Sequence, residues 1–270
     1  MNIDRLAAIL KQAAQEEIMP RFRRLDEGTI KTKTGAFDLV TEADVGAERV
    51  ITAAINAHRP DAIVIGEEAV SANPKLLDTN FEDRIVIYVD PVDGTANFAG
   101  GLPLFAVMAS VVQNGETVAG VIYDPVGDDV VMAERGCGAW QVFPDGRTLR
   151  QTFAAAVPLA EMGGLASTAF LPPEQRRAVM GNLSQVKMTA NYRCAGHEYR
   201  YAAGGNVHFM MYAKLMPWDH VAGALIMREA GAHVAKFDGS PYRHTDLDGG
   251  LLVASDEESW NALRREVFAV

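Results

Sequence analysis

The segment of this chain best suited to chemistry is Asp90-Pro91-Val92-Asp93-Gly94-Thr95-Ala96-Asn97-Phe98. It follows the apolar run Ile85–Val89, so Asp90 falls at the carboxyl end of a predicted strand. Pro91 fixes its own φ and holds the preceding residue extended, which pre-sets the turn. Two carboxylates three residues apart across such a turn can converge on one point. Gly94 lets the backbone approach a ligand closely, and Thr95 offers a hydroxyl at a helix or turn start whose free N–H groups suit a phosphate. Taken alone, the segment also fits a capped turn in which both aspartates bond backbone amides. Asp124-Pro125-Val126-Gly127 makes a useful contrast: it lacks the second carboxylate and the Gly-Thr, and it reads as a plain hairpin turn.

Other acidic residues change the balance. Glu67, in Gly66-Glu67-Glu68, directly follows the predicted strand Ala62–Ile65. Asp219 lies in the first turn of a helix predicted from Pro217 to Ala230, where compensating the helix dipole is the simpler explanation. Asp44 lies at the start of a helix predicted over Glu42–His58, with Thr41 as its cap. Each is weak alone; as a set they could cage hard cations.

The elements that would position these residues follow from periodicity. Ile3, Leu6, Ile9, Leu10 and Ala13 predict an amphipathic helix within residues 3–25, bent at Pro20. Residues 26–38 read as a polar connection. Strands are predicted at Arg84–Val89, Phe105–Gln113, Thr117–Tyr123, Val130–Glu134 and Ala139–Phe143, with a hairpin at Asn114-Gly115. The second half alternates: strand Gly164–Thr168, helix Pro173–Asn182, strand Val186–Thr189, helix His197–Ala203 and strand Val207–Tyr212. Short strands near Val234 and Leu251 and a helix at Glu257–Phe268 follow. An antiparallel first half with helices on one side, then an alternating half, predicts layered α+β or α/β architecture. The organisation expected is a single domain over 1–270, with lobes of about 1–150 and 151–270 around one cleft.

Composition narrows the function classes. The chain has 270 residues, 49% hydrophobic and 22% charged, ordinary for a globular protein. A net charge of −10 argues against nucleic-acid or anionic-membrane binding. Cys137 and Cys194 form no C-x-x-C pair and read as free thiols of a reducing compartment. Asp4, Arg5 and Lys11 interrupt the N-terminal apolar residues, so no signal peptide is expected. No apolar run approaches the ~18 residues of a membrane span. A soluble, cytoplasmic protein is the expectation.

The order Gly-Glu-Glu, then D-P-V-D-G-T-x-N-F, then W-D before a helix resembles the inositol monophosphatase family of Mg²⁺-dependent, lithium-sensitive phosphatases. Asp38-Leu39-Val40-Thr41-Glu42-Ala43-Asp44 and the preceding Lys33 are similar to the family's flap. The resemblance covers most of the chain, from about Lys33 to the helix after Asp219. It implies a five-layer α-β-α-β-α sandwich of the sugar-phosphatase type, assembled as a homodimer, acting on a small phosphorylated substrate. It implies that Glu67, Asp90 and the Val92 carbonyl hold a first Mg²⁺, that Asp90, Asp93 and Asp219 hold a second, and that a third, mostly hydrated, shares Glu67. It further implies that Asp44 and Thr95, with Glu67 and a metal, would position the attacking water, and that the Gly94 and Thr95 amides would grip the phosphate. On the same resemblance, Gly196 and Glu198 would join Asp93, Gly94 and Thr95 on the substrate side. The residue chemistry agrees, since carboxylates suit Mg²⁺ and phosphoryl transfer needs no nucleophilic Ser or Cys.

The leaving-group end departs from the pattern. Where inositol-specific members carry a Glu seven residues before the W-D aspartate, this chain has Tyr212. Arg193-Cys194-Ala195-Gly196-His197-Glu198-Tyr199-Arg200 is more charged than the family's usual small residues. Glu198 either replaces the missing Glu, selects a cationic substrate, or pairs together with His197 to Arg193 or Arg200 on a helix surface. Ser167-Thr168-Ala169-Phe170 receives no role, and His220 is not expected to ligate. Inositol 1-phosphate or a related sugar or polyol phosphate is the leading substrate class. Histidinol phosphate, fructose 1,6-bisphosphate and 3′-phosphoadenosine 5′-phosphate are alternatives, and a regulatory binding role on the same fold is the alternative of another class.

Overall fold

A computed structural model of the chain describes residues 2–25, 31–35, 38–78 and 83–269, with the side chains of 31–35 and 38 outside that description. The first helix, α1 (Ile3–Ala13), buries Ile3, Leu6, Ile9, Leu10 and Ala13 on one face. It does not run on as an α-helix to residue 25. It widens into a π-helical turn at Ala14–Ile18 and breaks into turns around Pro20, whose missing N–H cannot extend the ladder. The polar connection contains a strand that the sequence did not signal: β1 (Lys31–Gly35), the segment of Lys33, pairs antiparallel with β2 (Asp38–Val40). Residues 26–30 and 36–37 lie outside the described residues. Helix α2 (Glu42–His58) has its expected bounds. A capping box fixes its start, with the Ala43 N–H donating to Thr41 Oγ1 at 3.2 Å and the Thr41 N–H to Asp44 Oδ2 at 2.8 Å.

A seven-stranded sheet follows in sequence order: β3 (Ala62–Gly66), β4 (Ile85–Asp93), β5 (Ala106–Gln113), β6 (Glu116–Asp124), β7 (Asp129–Glu134), β8 (Gly138–Val142) and β9 (Thr148–Arg150). Only β3 and β4 are parallel, joined through the short helix α3 (Glu67–Ala72). The helix α4 (Thr95–Ala99) follows β4. The β5–β6 hairpin turns at Asn114-Gly115, both left-handed at φ 52° and 74°. The second sheet runs β11 (Met188–Ala190), β10 (Gly163–Ser167), β12 (Phe209–Tyr212), β14 (Leu251–Ala254), β13 (His233–Lys236). Its first three strands are parallel. Helices α5 (Pro173–Asn182), α6 (Ala195–Ala203), α7 (Pro217–Glu229) and α8 (Glu257–Glu266) complete the chain.

Strand alternation assigns the layers. In β4, Ile87 and Val89 pack with α1 and α2, while Val86 and Tyr88 point the other way, toward α6 and α7. In β12, Met210 and Tyr212 face α6 and α7, and Phe209 and Met211 face α8. The order is therefore α1/α2, seven-stranded sheet, α6/α7, five-stranded sheet, α5/α8: a five-layer α-β-α-β-α sandwich. Helices cover both faces of the first sheet, not one, because α7 from the second half supplies the other cover. No helix among the described residues is long and apolar enough to cross a membrane. Cys137 is exposed, Cys194 is buried, and both are free.

Candidate active site

Strand β4 continues through the motif and carries Asp90 and Asp93 at its carboxyl end. Its pairing with β5 is irregular between these two residues, where Pro91 has no N–H to give. The Val92 N–H donates to Asp90 Oδ1 at 3.0 Å. Helix α7 opens with Pro217 at its first position and holds Asp219 in its first turn. Asp90, Asp93 and Asp219 each offer an oxygen within 4.8 Å of the other two. Glu67, the first residue of α3, stands outside that set, yet its charge acts on all three.

The electrostatics are those of crowded buried acids. Burial, then the charges of Glu67, Asp93 and Asp219, lift Asp90 well above the usual carboxylate range. Burial, then Asp93 and Glu67, lifts Asp219 likewise. Asp93 rises to about 6, burial outweighing the hydrogen bonds it accepts. No Lys or Arg among the described residues pairs with the three carboxylates. Buried, mutually repelling oxygens with no Lys or Arg paired to them among the described residues are a donor set that a hard divalent ion would complete. Their all-oxygen character fits Mg²⁺ rather than metals that favour His and Cys.

Beside this cluster, Gly94 has φ 86° and caps α4. A Cβ there would lie 2.8 Å from the Leu104 carbonyl oxygen and 3.0 Å from Cys194 Cβ, so the turn requires glycine on both counts. The Thr95 hydroxyl lies 3.0 Å from Asp44 Oδ1 and 3.0 Å from the Val92 carbonyl. Asp44 is fully buried and burial raises its pKa to about 6. Asp93 also fastens α6: its Oδ2 accepts the Gly196 N–H at 2.5 Å and lies 3.0 Å from the Cys194 thiol. Burial, then Asp93, raises that thiol's pKa, so Cys194 stays a neutral donor.

Glu198 does not lie on a helix surface. It is 2% exposed, accepting the Tyr192 N–H at 2.7 Å through Oε1 and the Tyr212 hydroxyl at 2.7 Å through Oε2. Burial raises it to about 7. Arg200 pairs instead with Asp129 at 2.5 Å and Asp124 at 3.5 Å, and His197 Nε2 lies 3.1 Å from the Phe105 carbonyl. The Asp124 segment is a plain turn, its Oδ1 accepting from Val126 and Gly127. His220 has both ring nitrogens engaged. Nε2 meets the Lys214 carbonyl at 2.9 Å and must donate, so Nδ1 accepts from the Tyr199 hydroxyl at 3.1 Å.

Two residues that hold the site in place were not found from sequence. Glu48 accepts the Glu68 and Ala69 N–H groups at 2.8 and 2.9 Å, capping α3 and so placing Glu67. Its signal was available, since Asp44 and Glu48 are four apart on the buried face of α2. Asn97 donates to the Leu104 and Tyr192 carbonyls at 2.9 and 2.7 Å, tying the motif to the loop before α6. Nothing local marks that role.

Comparison with known proteins adds to this geometry. The profile of the inositol monophosphatase family matches residues 2–268. An inositol-1-monophosphatase of Mesorhizobium japonicum is 34% identical over 242 residues, covering 86% of this chain and 84% of that one. The Nus factor SuhB of Pseudomonas aeruginosa is 33% identical over 261 residues, 93% of this chain and 90% of that one. The crystal structure of the extragenic suppressor protein suhB of Bartonella henselae superposes with a TM-score of 0.83 at 26% identity, covering 98% of this chain and 97% of that one.

Proposed function

The chain belongs to the inositol monophosphatase family and is a phosphoric monoester hydrolase of the sugar-phosphatase fold, and from this we propose that it hydrolyses a small phosphate monoester with Mg²⁺, inositol 1-phosphate or a related sugar or polyol phosphate. The observation that carries the reading is the convergence of Asp90, Asp93 and Asp219 beside the Gly94-Thr95 turn. Asp90, Asp93 and Asp219 would hold Mg²⁺ together with Glu67 and the Val92 carbonyl. Bound there, Mg²⁺ would neutralise phosphoryl charge and make water more acidic. The Gly94 and Thr95 amides, at a helix start with no intrahelical acceptor, orient the phosphate. Thr95 Oγ1 would accept a proton from the attacking water as its own proton passes to Asp44 Oδ1, leaving hydroxide to attack phosphorus and Asp44 protonated. Asp93 is shared between the cluster and α6, so Gly196 and Cys194 set its direction. Glu198 serves the substrate indirectly, by fixing the Tyr192–Arg193 loop. We place the protein in the cytoplasm as a homodimer of single-domain, two-lobed chains.

Phosphate release from inositol 1-phosphate by the full chain tests this. Release should require Mg²⁺, stop with EDTA and fall to near zero in Asp93→Asn. Wild-type-like turnover in Asp93→Asn, or turnover indifferent to EDTA, removes the cluster from the reaction. The similarity to a protein named Nus factor SuhB supports a second reading, a regulatory role through a protein or RNA partner. Rescue of a deletion strain by catalytically dead Asp90→Asn would favour it.

A further inference from the structure

A carboxylate oxygen has two lone-pair directions, and on Asp93 Oδ2 both are taken. The Gly196 N–H donates to it at 2.5 Å, and the Cys194 thiol lies 3.0 Å away. The thiol has one proton and a second acceptor, the Asp93 carbonyl, at 3.5 Å. The nearer, charged oxygen takes it. The sulfur in turn accepts the His197 N–H at 3.5 Å as the cap of α6, and the whole residue is only 2% exposed. Its donor is therefore held in one direction.

Helix α6 cannot retreat from Asp93 to release that oxygen. Arg200 pairs with Asp129 of β7 at 2.5 Å, and His197 Nε2 donates to the Phe105 carbonyl at 3.1 Å. On the side of the second sheet, Glu198 accepts from Tyr212 of β12 at 2.7 Å. A cation at the cluster thus meets Asp93 through Oδ1, and reaching both oxygens would mean breaking a bond to an anchored helix. The two common hard cations differ on this point. Mg²⁺ keeps a compact octahedron with several waters, whereas Ca²⁺ takes six to eight oxygens and often both from one carboxylate.

We propose that the first turn of α6 sets the cation preference of the cluster: Cys194 and Gly196 hold Asp93 Oδ2, so that Asp93 offers one oxygen, which suits Mg²⁺ and denies Ca²⁺ a second. Cys194 is a positioning residue that acts on the ion only through Asp93. This rests on the Mg²⁺ reading of the cluster and adds the residue that discriminates between ions. One-oxygen binding also leaves more of the ion's shell for water and phosphate.

Calorimetric titration of the EDTA-stripped full chain with Mg²⁺ and with Ca²⁺ gives two association constants and needs no substrate. Cys194→Ala removes the donor, and the ratio of the Ca²⁺ to the Mg²⁺ constant should rise about tenfold, the scale of one hydrogen bond to a charged group. Cys194→Ser restores a donor and a helix cap at the same place, and its ratio should return to that of the wild type. Equal weakening of both ions in Cys194→Ala, the result of a purely structural loss, overturns the inference. So does an unchanged ratio, or a Ser variant that behaves as Ala does. A crystal of the wild type grown with Ca²⁺ tests it without any variant. Asp93 bound through Oδ1 alone supports it, and Asp93 bound through both oxygens overturns it. Those failures leave the phosphatase reading standing, because the wild type still binds Mg²⁺; a wild type that binds neither ion sinks both.

Discussion

The Thr95 hydroxyl has one proton and two acceptors at 3.0 Å, Asp44 Oδ1 and the Val92 carbonyl. Only the first can keep a proton, so relay from water through Thr95 requires Asp44 to be ionised. Thr95→Ala should lower kcat about 10²–10³-fold, the scale of a lost proton-transfer group, and Thr95→Ser should restore most of it. Burial raises Asp44 to about 6. Below that pH the relay is filled, so kcat should fall on an acid limb, and a cation nearby would move the limb lower by favouring the charged form. A pH–rate profile unchanged by Asp44→Asn would refute the relay. The acidic cluster makes a separate prediction about stability. Asp93 is raised to about 6, with Asp90 and Asp219 raised in the same direction. Groups whose folded pKa lies above the unfolded value stabilise the fold at low pH, and that stability is lost as pH rises through the folded pKa. The EDTA-treated protein should therefore lose thermal stability between about pH 4 and pH 6–7, and Mg²⁺ should restore it. Asp93→Asn should flatten the slope. A melting temperature that is independent of Mg²⁺ at pH 7 would argue against a cation among these carboxylates.

Short elements do the positioning, and the sequence discloses them unevenly. Helix α2 was legible because its start is encoded locally, Thr41 and Asp44 exchanging bonds within one turn. The Asn114-Gly115 hairpin was legible for the same reason, two adjacent residues that tolerate positive φ. Helix α3 was not. Its six residues lack a side-chain cap of their own, and the acceptor for its leading amides, Glu48, comes from α2. The burial of Glu198 was hidden likewise, because its partners Tyr192 and Tyr212 come from a loop and another strand. Local pattern reveals what the chain bonds to within a turn, and tertiary bonds leave no such trace. Glu48→Ala tests the α3 account. Loss of a cap costs about 1–2 kcal/mol, and the destabilisation should come with a higher Mg²⁺ requirement, because α3 begins at Glu67. Equal destabilisation with an unchanged Mg²⁺ titration would detach Glu67 from the metal. Gly196→Ala is the matching test on α6: its Cβ would stand 2.7 Å from Ala106 Cβ and 3.1 Å from Asp93 Oδ2.

At the scale of the molecule, the acidic cluster is a joint between layers. Asp90 and Asp93 belong to the first sheet, while Asp219 belongs to α7, which lies between that sheet and the second. The continuous apolar run Ile85–Val89 was readable in the sequence, but a helical cover on both faces of β4 was not, since α7 arrives from the other half of the chain. How deeply α7 sits is set by Gly120 of β6. A Cβ there would lie 2.8 Å from the Ala222 carbonyl oxygen and 2.9 Å from Ala222 Cα, backbone atoms that no rotamer change can move. Gly120→Ala must therefore lift α7 from the sheet or bend it, and overpacking of this kind costs about 1–3 kcal/mol. Asp219 rides on the first turn of the same helix, one turn before Ala222, so the displacement reaches the carboxylate cluster. The variant should lose a few degrees of melting temperature and, in the fraction that remains folded, need more Mg²⁺ for half-maximal phosphate release. A Gly120→Ala protein that melts earlier but titrates with Mg²⁺ as the wild type does would mean that the spacing between layers does not govern how the two halves of the cluster meet.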